Sequence, residues 1–203
     1  MTETPGRTRI LDAALTLIES RGGADVTMAE IAREAGLSRQ AVYLHFTDRA
    51  GLLLELVRHV DERRGLSGEL RKIVEAPSGA AAIEEMVALQ ARMNPRIWAV
   101  ARALDAVRRQ DPEVEQSWQD RLANRLRGCR EIVGRLEREG KLRPGLAERE
   151  AADLLWSLTS LRTWEDLVLE RGWTPEQYRK RVTALLLGAL TRGGGRRQSP
   201  ARS

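Results

Sequence analysis

An all-α fold is predicted, with a small N-terminal helix-turn-helix unit joined to a larger helical domain, about nine helices in all. Three observations predict it. Apolar residues recur at spacings of three and four rather than alternating, as in Val114, Trp118, Leu122, Leu126, Cys129, Val133 and Leu136. Helix punctuation separates such stretches: Thr27, Ser38 and Asp48 precede apolar runs, while Asn94-Pro95, Asp111-Pro112 and Thr174-Pro175 each pair a capping side chain with a proline suited to the first helical position. The composition, 42% hydrophobic and 31% charged, suits packed helices rather than a disordered chain.

The elements follow in order. A first helix runs from about Thr8 to Arg21, with Ile10, Ala14, Leu17 and Ile18 on one face, and stops at Gly22-Gly23. Thr27 caps a second helix through Ala35, and Glu30, three residues on, completes a capping box. Gly36 to Ser38 is a tight turn; Ser38 caps a third helix to about Phe46 and Asp48 a fourth to about Arg63. The polar stretch from Gly65 to Gly79, containing Pro77, marks the domain junction. Beyond Ser78 the reading is a helix to Asn94, a new helix from Pro95, a long one from Pro112 to Gly140, another from Ala147 to Arg171, and a last one from Pro175 to Thr191. The helix-turn-helix domain is thus 1–50, with a linking helix 48–63, the larger domain 64–192, and 193–203 a Gly- and Arg-rich tail expected to be flexible.

Charge and composition exclude several classes. The net charge of +5 suits a polyanionic partner. Residues 1–50, however, hold six arginines against seven acids, while Arg192, Arg196, Arg197 and Arg202 lie in or beside the tail. Net charge therefore does not carry a nucleic-acid argument; a motif must. The tail reads as a solubilising end. The single cysteine, Cys129, excludes an intramolecular disulfide and a Cys-rich metal site, as suits a reducing cytoplasm. No signal core and no stretch of about 18 apolar residues occur, so a soluble cytoplasmic protein without a membrane partner is expected. The two histidines, His45 and His59, stand outside any HExxH pattern, and GxxxxGK[ST] and GxSxG are absent. Metal, P-loop and nucleophile-elbow chemistry lack a vehicle, so neither an enzyme nor a cofactor is expected.

The informative stretch is Val26 to Arg49. Met28, Ile31, Ala32 and Ala35 form an inward face, Gly36 supplies a left-handed position, and Leu37, Val42 and Phe46 pack the next helix onto the first. Two short helices joined by such a turn fit the second into the major groove of double-stranded DNA, about 12 Å wide. Its outward residues have matching chemistry. Ser38 and Thr27 offer hydroxyls beside free backbone N–H groups at helix N-termini, which favour phosphate. Arg39 and Gln40 suit bidentate bonds to guanine and adenine edges. Tyr43, His45 and Arg49 present donors for phosphate, with His45 equally suited to packing and capping. Arg7 and Arg9 have two readings, an arm reaching phosphates and a solvated arm.

The run from Thr27 to Phe46, TMAEIAREAGLSRQAVYLHF, followed by Asp48 to Leu54, DRAGLLL, closely resembles the DNA-binding domain of the TetR family. The resemblance is detailed over about 50 residues and specific, because the Ala-Gly-Leu-Ser turn, the Tyr-x-His-Phe ending and a following basic residue occur together; beyond residue 80 it is architectural. By that resemblance Thr27, Ser38, Tyr43, His45 and Arg49 are phosphate-binding positions, and Arg39, Gln40 and Ala41 base-reading ones. The family commonly has lysine where this chain has Arg49; either cation binds phosphate.

The family implies a repressor binding an inverted-repeat operator as a homodimer, released by a small hydrophobic or amphipathic effector. A dimer without small-molecule ligand, or an activator, is the alternative. For an effector cavity the candidates are Met86, Met93, Trp98, Arg102, Trp118, Leu122, Trp156 and Thr159, with Arg102 suited to an acidic group. The tryptophans serve equally as ordinary core. For the dimer face the last two helices offer Leu154, Leu158, Leu161, Trp164, Leu167 and Val168, then Tyr178, Val182, Leu185, Leu186 and Ala189. Two helices from each subunit would form a four-helix interface. Effector binding is expected to swing the fourth helix and move the recognition helices off successive grooves, a coupling of about 1–3 kcal/mol.

Overall fold

The structure, a computed structural model, describes residues 5–23 and 25–192. Its helices are α1 (Pro5–Ser20), α2 (Met28–Glu34), α3 (Arg39–His45), α4 (Arg49–Arg63), α5 (Leu66–Val74), α6 (Gly79–Arg108), α7 (Pro112–Arg138), α8 (Glu148–Leu158), α9 (Leu161–Trp164) and α10 (Pro175–Leu190), with a π-helical segment, Glu165–Glu170, after α9. Among the described residues there is no strand, only an isolated antiparallel bridge between Leu142 and Thr191. No described helix is long and apolar enough to cross a membrane. The tail read at 193–203 lies outside the described residues.

The chain forms two compact units. Of the described residues, one comprises those up to Leu70 together with Arg92–Asn124; the other comprises Arg71–Ala91 and those from Arg125 to Arg192. In the first, Ile10, Leu11 and Ile18 of α1, Ile31 and Ala32 of α2, Val42 of α3 and Leu52, Leu53 and Leu56 of α4 share one core with Val100, Ala103 and Leu104 of α6 and Val114 of α7. The helix-turn-helix therefore folds against the second half of α6 and the start of α7. The turn after α1 shows how closely. Gly22 N–H donates to Glu19 O (3.2 Å) and Gly23 N–H to Ile18 O (2.9 Å), closing α1 through left-handed glycines. Gly22 then lies against the Trp98 ring, and a Cβ on Gly23 would stand 2.6 Å from the Ala99 carbonyl oxygen and 2.8 Å from Arg102 Cβ. On another face of α1, Asp12 accepts from buried His59 Nε2 (2.8 Å) and from Arg63, tying α4 to α1.

The second unit buries Ile83, Met86 and Val87 of α6, Cys129, Val133 and Leu136 of α7, Ala151 and Leu155 of α8, and Tyr178, Val182 and Leu186 of α10. Burial pushes the Cys129 thiol up to about 11, so it stays protonated at neutral pH and is a small apolar side chain rather than a nucleophile.

Two expectations are corrected. Asn94-Pro95 does not start a helix: α6 runs continuously through Pro95, with Met93 and Asn94 buried ahead of it and Ala99 and Val100 beyond. The packing of both halves outweighs the N–H that Pro95 lacks. Nor is Ala147 to Arg171 one helix. It breaks at Thr159-Ser160, and all four carbonyls at the end of α8 find donors. Leu155 O accepts from Thr159 N and Oγ1 (3.1 and 2.6 Å), Trp156 O from Arg125 Nη1 (2.7 Å), Ser157 O from Thr163 Oγ1 (2.8 Å), and Leu158 O from the Tyr178 hydroxyl (3.3 Å). Ser160 Oγ, accepting from Thr163 N (3.0 Å), then caps α9. The apolar spacing continues across the break, which hides it from periodicity.

Arg125 carries much of that break. Its guanidinium also reaches Thr159 Oγ1 (3.2 Å) and lies 4.6 Å from the centre of the Trp156 ring. Arg125→Ala should cost about 2 kcal/mol, seen as a lower urea midpoint at unchanged slope; an unshifted midpoint would mean the α8 terminus is held without it.

Candidate nucleic-acid interface

Each helix of the motif, α2, α3 and α4, is held at its start by a capping side chain. Thr27 N and Oγ1 both donate to Glu30 Oε2 (2.8 and 2.7 Å), and Glu30 N donates back to Thr27 Oγ1 (3.3 Å). The Arg21 hydrogen bond, with those from Thr27, holds the Glu30 carboxyl down at about 2. Folding lowers that pKa, so the ionised box is intact above the usual carboxylate range and is lost only as pH falls towards 2. At the far end of α2, Gly36 N–H donates to Arg33 O (3.1 Å) and Leu37 N–H to Ala32 O (2.9 Å), with Gly36 at φ +62°. A Cβ there would also strike the Arg9 guanidinium, 2.6 Å away. Ser38 Oγ accepts from Ala41 N (3.1 Å) and Asp48 Oδ1 from Gly51 N (2.8 Å), starting α3 and α4.

Val42 and Phe46 anchor α3 inward, while Arg39, Gln40, Tyr43 and Leu44 are exposed and Ala41 and His45 half-buried. Beside α3 lies a groove of about 370 Å³ lined by Asp25, Val26, Thr27, Met28, Ala29, Arg39, Tyr43 and Arg49. It brings together four of the expected DNA-contacting residues: Thr27, Arg39, Tyr43 and Arg49. Gln40 and Ala41 lie outside it on α3, Ser38 is exposed at the start of that helix, and His45 Nε2 stands 3.0 Å from where a Gly6 Cβ would be. Arg7 and Arg9 belong to α1 rather than to an arm, with Arg7 paired to Glu55 (3.0 Å) over the Phe46 ring.

Two residues here escaped the sequence reading. Asp25, 85% exposed, pairs with Arg49 at 2.5 Å, and Leu44 is 83% exposed on α3. A helical wheel of α3 finds Leu44. Nothing local in the sequence couples Asp25 to a residue 24 positions on.

This geometry, an exposed basic and polar helix face standing on a capped turn, accompanies a family match. Residues 10–56 match the family described as bacterial regulatory proteins, tetR family. The structure is similar to that of a transcriptional regulator from Saccharomonospora viridis in complex with choline, with a TM-score of 0.79 and 19% identity over 94% of this chain and 100% of that one. Residues 10–56 are a TetR-family domain. Among relatives that share this domain, the nucleoid occlusion factor SlmA of Marinomonas sp. (strain MWYL1) is 35% identical over 81 residues, 40% of each chain. The HTH-type transcriptional regulator SrpR of Pseudomonas putida is 47% identical over 47 residues, 23% of this chain and 22% of that protein. The chain thus spans well under half the length of these relatives.

Beyond the TetR-family domain, the expected cavity residues divide between the units. In the first, Met93 is buried, Trp118 and Leu122 are half-buried, and exposed Arg102 lies over the Trp98 ring at 5.2 Å. Asn94 Nδ2 and Trp98 Nε1 are buried there without a hydrogen-bond partner. In the second, Met86 and Thr159 are buried, and the indole N–H of Trp156 is likewise unpartnered. Of the expected dimer residues, Trp164, Tyr178, Val182 and Leu186 are buried within their own unit, Leu158, Leu161, Leu167, Val168 and Ala189 are half-buried, and Leu154 and Leu185 are exposed.

Proposed function

We propose that the chain is a homodimeric, ligand-responsive repressor that binds an inverted-repeat DNA operator and is released by a small-molecule effector. The observation that carries the DNA-binding part is the outward face of α3. It presents Arg39, Gln40 and Tyr43 beside the groove that holds Arg49, with Val42 and Phe46 fixing the helix from behind. Arg39, Gln40 and Ala41 read bases, while Thr27, Ser38, Tyr43, His45 and Arg49 hold phosphates.

Exposed Leu154 of α8 and Leu185 of α10 support a dimer face, since unpaired apolar side chains on adjacent packed helices suit a twofold partner. The unpartnered donors Asn94 Nδ2 and Trp98 Nε1 support a guest bearing hydrogen-bond acceptors, and the Saccharomonospora viridis neighbour holds a small molecule, choline. The contact of Gly22 and Gly23 with Trp98, Ala99 and Arg102 supports the coupling, because a change in α6 there bears directly on the DNA-binding helices.

The test is selection of bound sequences from random duplexes at stated salt, which should return an inverted repeat. Arg39→Ala should then relax preference at one base pair of each half-site, whereas Tyr43→Phe should weaken all sites alike. Uniform weakening by both would overturn the division between reading and anchoring residues, and no sequence-selective binding would overturn the function.

A further inference from the structure

Leu44 is the most exposed large apolar side chain among the described residues, at 83%, and it lies on the recognition helix. Successive α-helical residues are about 100° apart. Measured from Val42, which is fully buried, Gln40 and Leu44 each fall about 20° from the opposite pole of the helix. They occupy one stripe, a single turn apart, directed away from the core, and Tyr43 beside them is 52% exposed. A helix that enters the major groove turns its outermost stripe to the base edges, not to the phosphates. Gln40 has the donor and acceptor pair that matches adenine. Leu44 has neither, and its isobutyl group matches the one apolar feature of the groove, the C5 methyl of thymine.

We propose that Leu44 is a specificity-determining residue that reads a thymine through its methyl group. This rests on the DNA-binding reading above and names what that face selects. The stripe also sets the register. Four residues advance the helix by about 6 Å and base pairs stack about 3.4 Å apart. The thymine read by Leu44 therefore lies within about two base pairs of the adenine read by Gln40.

The experiment uses the full chain and the operator returned by selection, with each thymine replaced singly, in both half-sites, by deoxyuridine, which lacks only the methyl. Wild type should bind about fourfold more weakly per half-site at one thymine position. Leu44→Ala, which removes an exposed side chain and leaves the core intact, should bind the thymine and deoxyuridine operators equally. Gln40→Ala should lose preference at a pair within two positions of that thymine while keeping the deoxyuridine penalty. Insensitivity of wild type to every deoxyuridine, or a penalty that survives Leu44→Ala, would overturn the inference while leaving DNA binding standing. Failure to select any sequence would overturn both.

Discussion

Gly23→Ala should lower the unfolding free energy by about 3 kcal/mol, the largest effect expected of any single methyl group in this chain. Two terms combine. Gly23 sits at φ +82°, in the left-handed region that an alanine enters only under strain, and its added Cβ would stand 2.6 Å from the Ala99 carbonyl oxygen and 2.8 Å from Arg102 Cβ. Neither neighbour is the free end of a flexible side chain, so relief requires α1 or α6 to move. Gly65 separates the terms, because it has φ +67° with nothing within 4 Å of its Cβ position. Gly65→Ala should cost only about 1 kcal/mol. Urea denaturation of both variants checks this through their midpoints at constant slope. Equal losses would mean that strain alone matters and that the contact with α6 yields easily.

Asp25→Asn should tighten DNA binding about tenfold at low salt and steepen its salt dependence by about 0.9, the contribution of one more neutralised phosphate. In the free protein Arg49 is paired at 2.5 Å with a carboxylate that is itself 85% exposed. A phosphate arriving at Arg49 would have to displace that carboxylate and also approach its negative charge. Asparagine keeps the size of the side chain and removes both obstacles. Arg49→Ala should have the opposite effect, weakening binding and flattening the salt slope by a similar amount, and in its background Asp25→Asn should give a much smaller gain. Titrations by fluorescence anisotropy at several salt concentrations measure all four proteins. An unchanged slope in Asp25→Asn would mean that Arg49 meets no phosphate.

The caps of α2, α3 and α4 were legible because capping is local: a hydroxyl or carboxylate and the N–H it binds lie three residues apart, as in Thr27 with Glu30 and Asp48 with Gly51. Asp111-Pro112 and Thr174-Pro175 succeeded for the same reason. Asn94-Pro95 failed because local preference met tertiary packing, which carries α6 through the proline. The break at Thr159 was invisible because two of its four carbonyls are satisfied by Arg125 and Tyr178, 31 and 20 residues away, and the apolar spacing runs on across it. At the proposed DNA-facing surface, residue types and spacing exposed the polar members of α3. Leu44 was passed over because an apolar residue in a helix reads as core until its angle around the axis is set against that of Val42.

The core shared by α1 to α4 with parts of α6 and α7 bears on how such proteins are recombined. A head-swap chimera that joins residues 1–63 to another regulator would leave behind Val100, Ala103, Leu104 and Val114, which close that core. The graft would inherit a vacancy unless its new host supplied side chains of matching volume. The transplantable module is therefore discontinuous in sequence, and the segment from Pro95 to Val114 has to travel with α1 to α4.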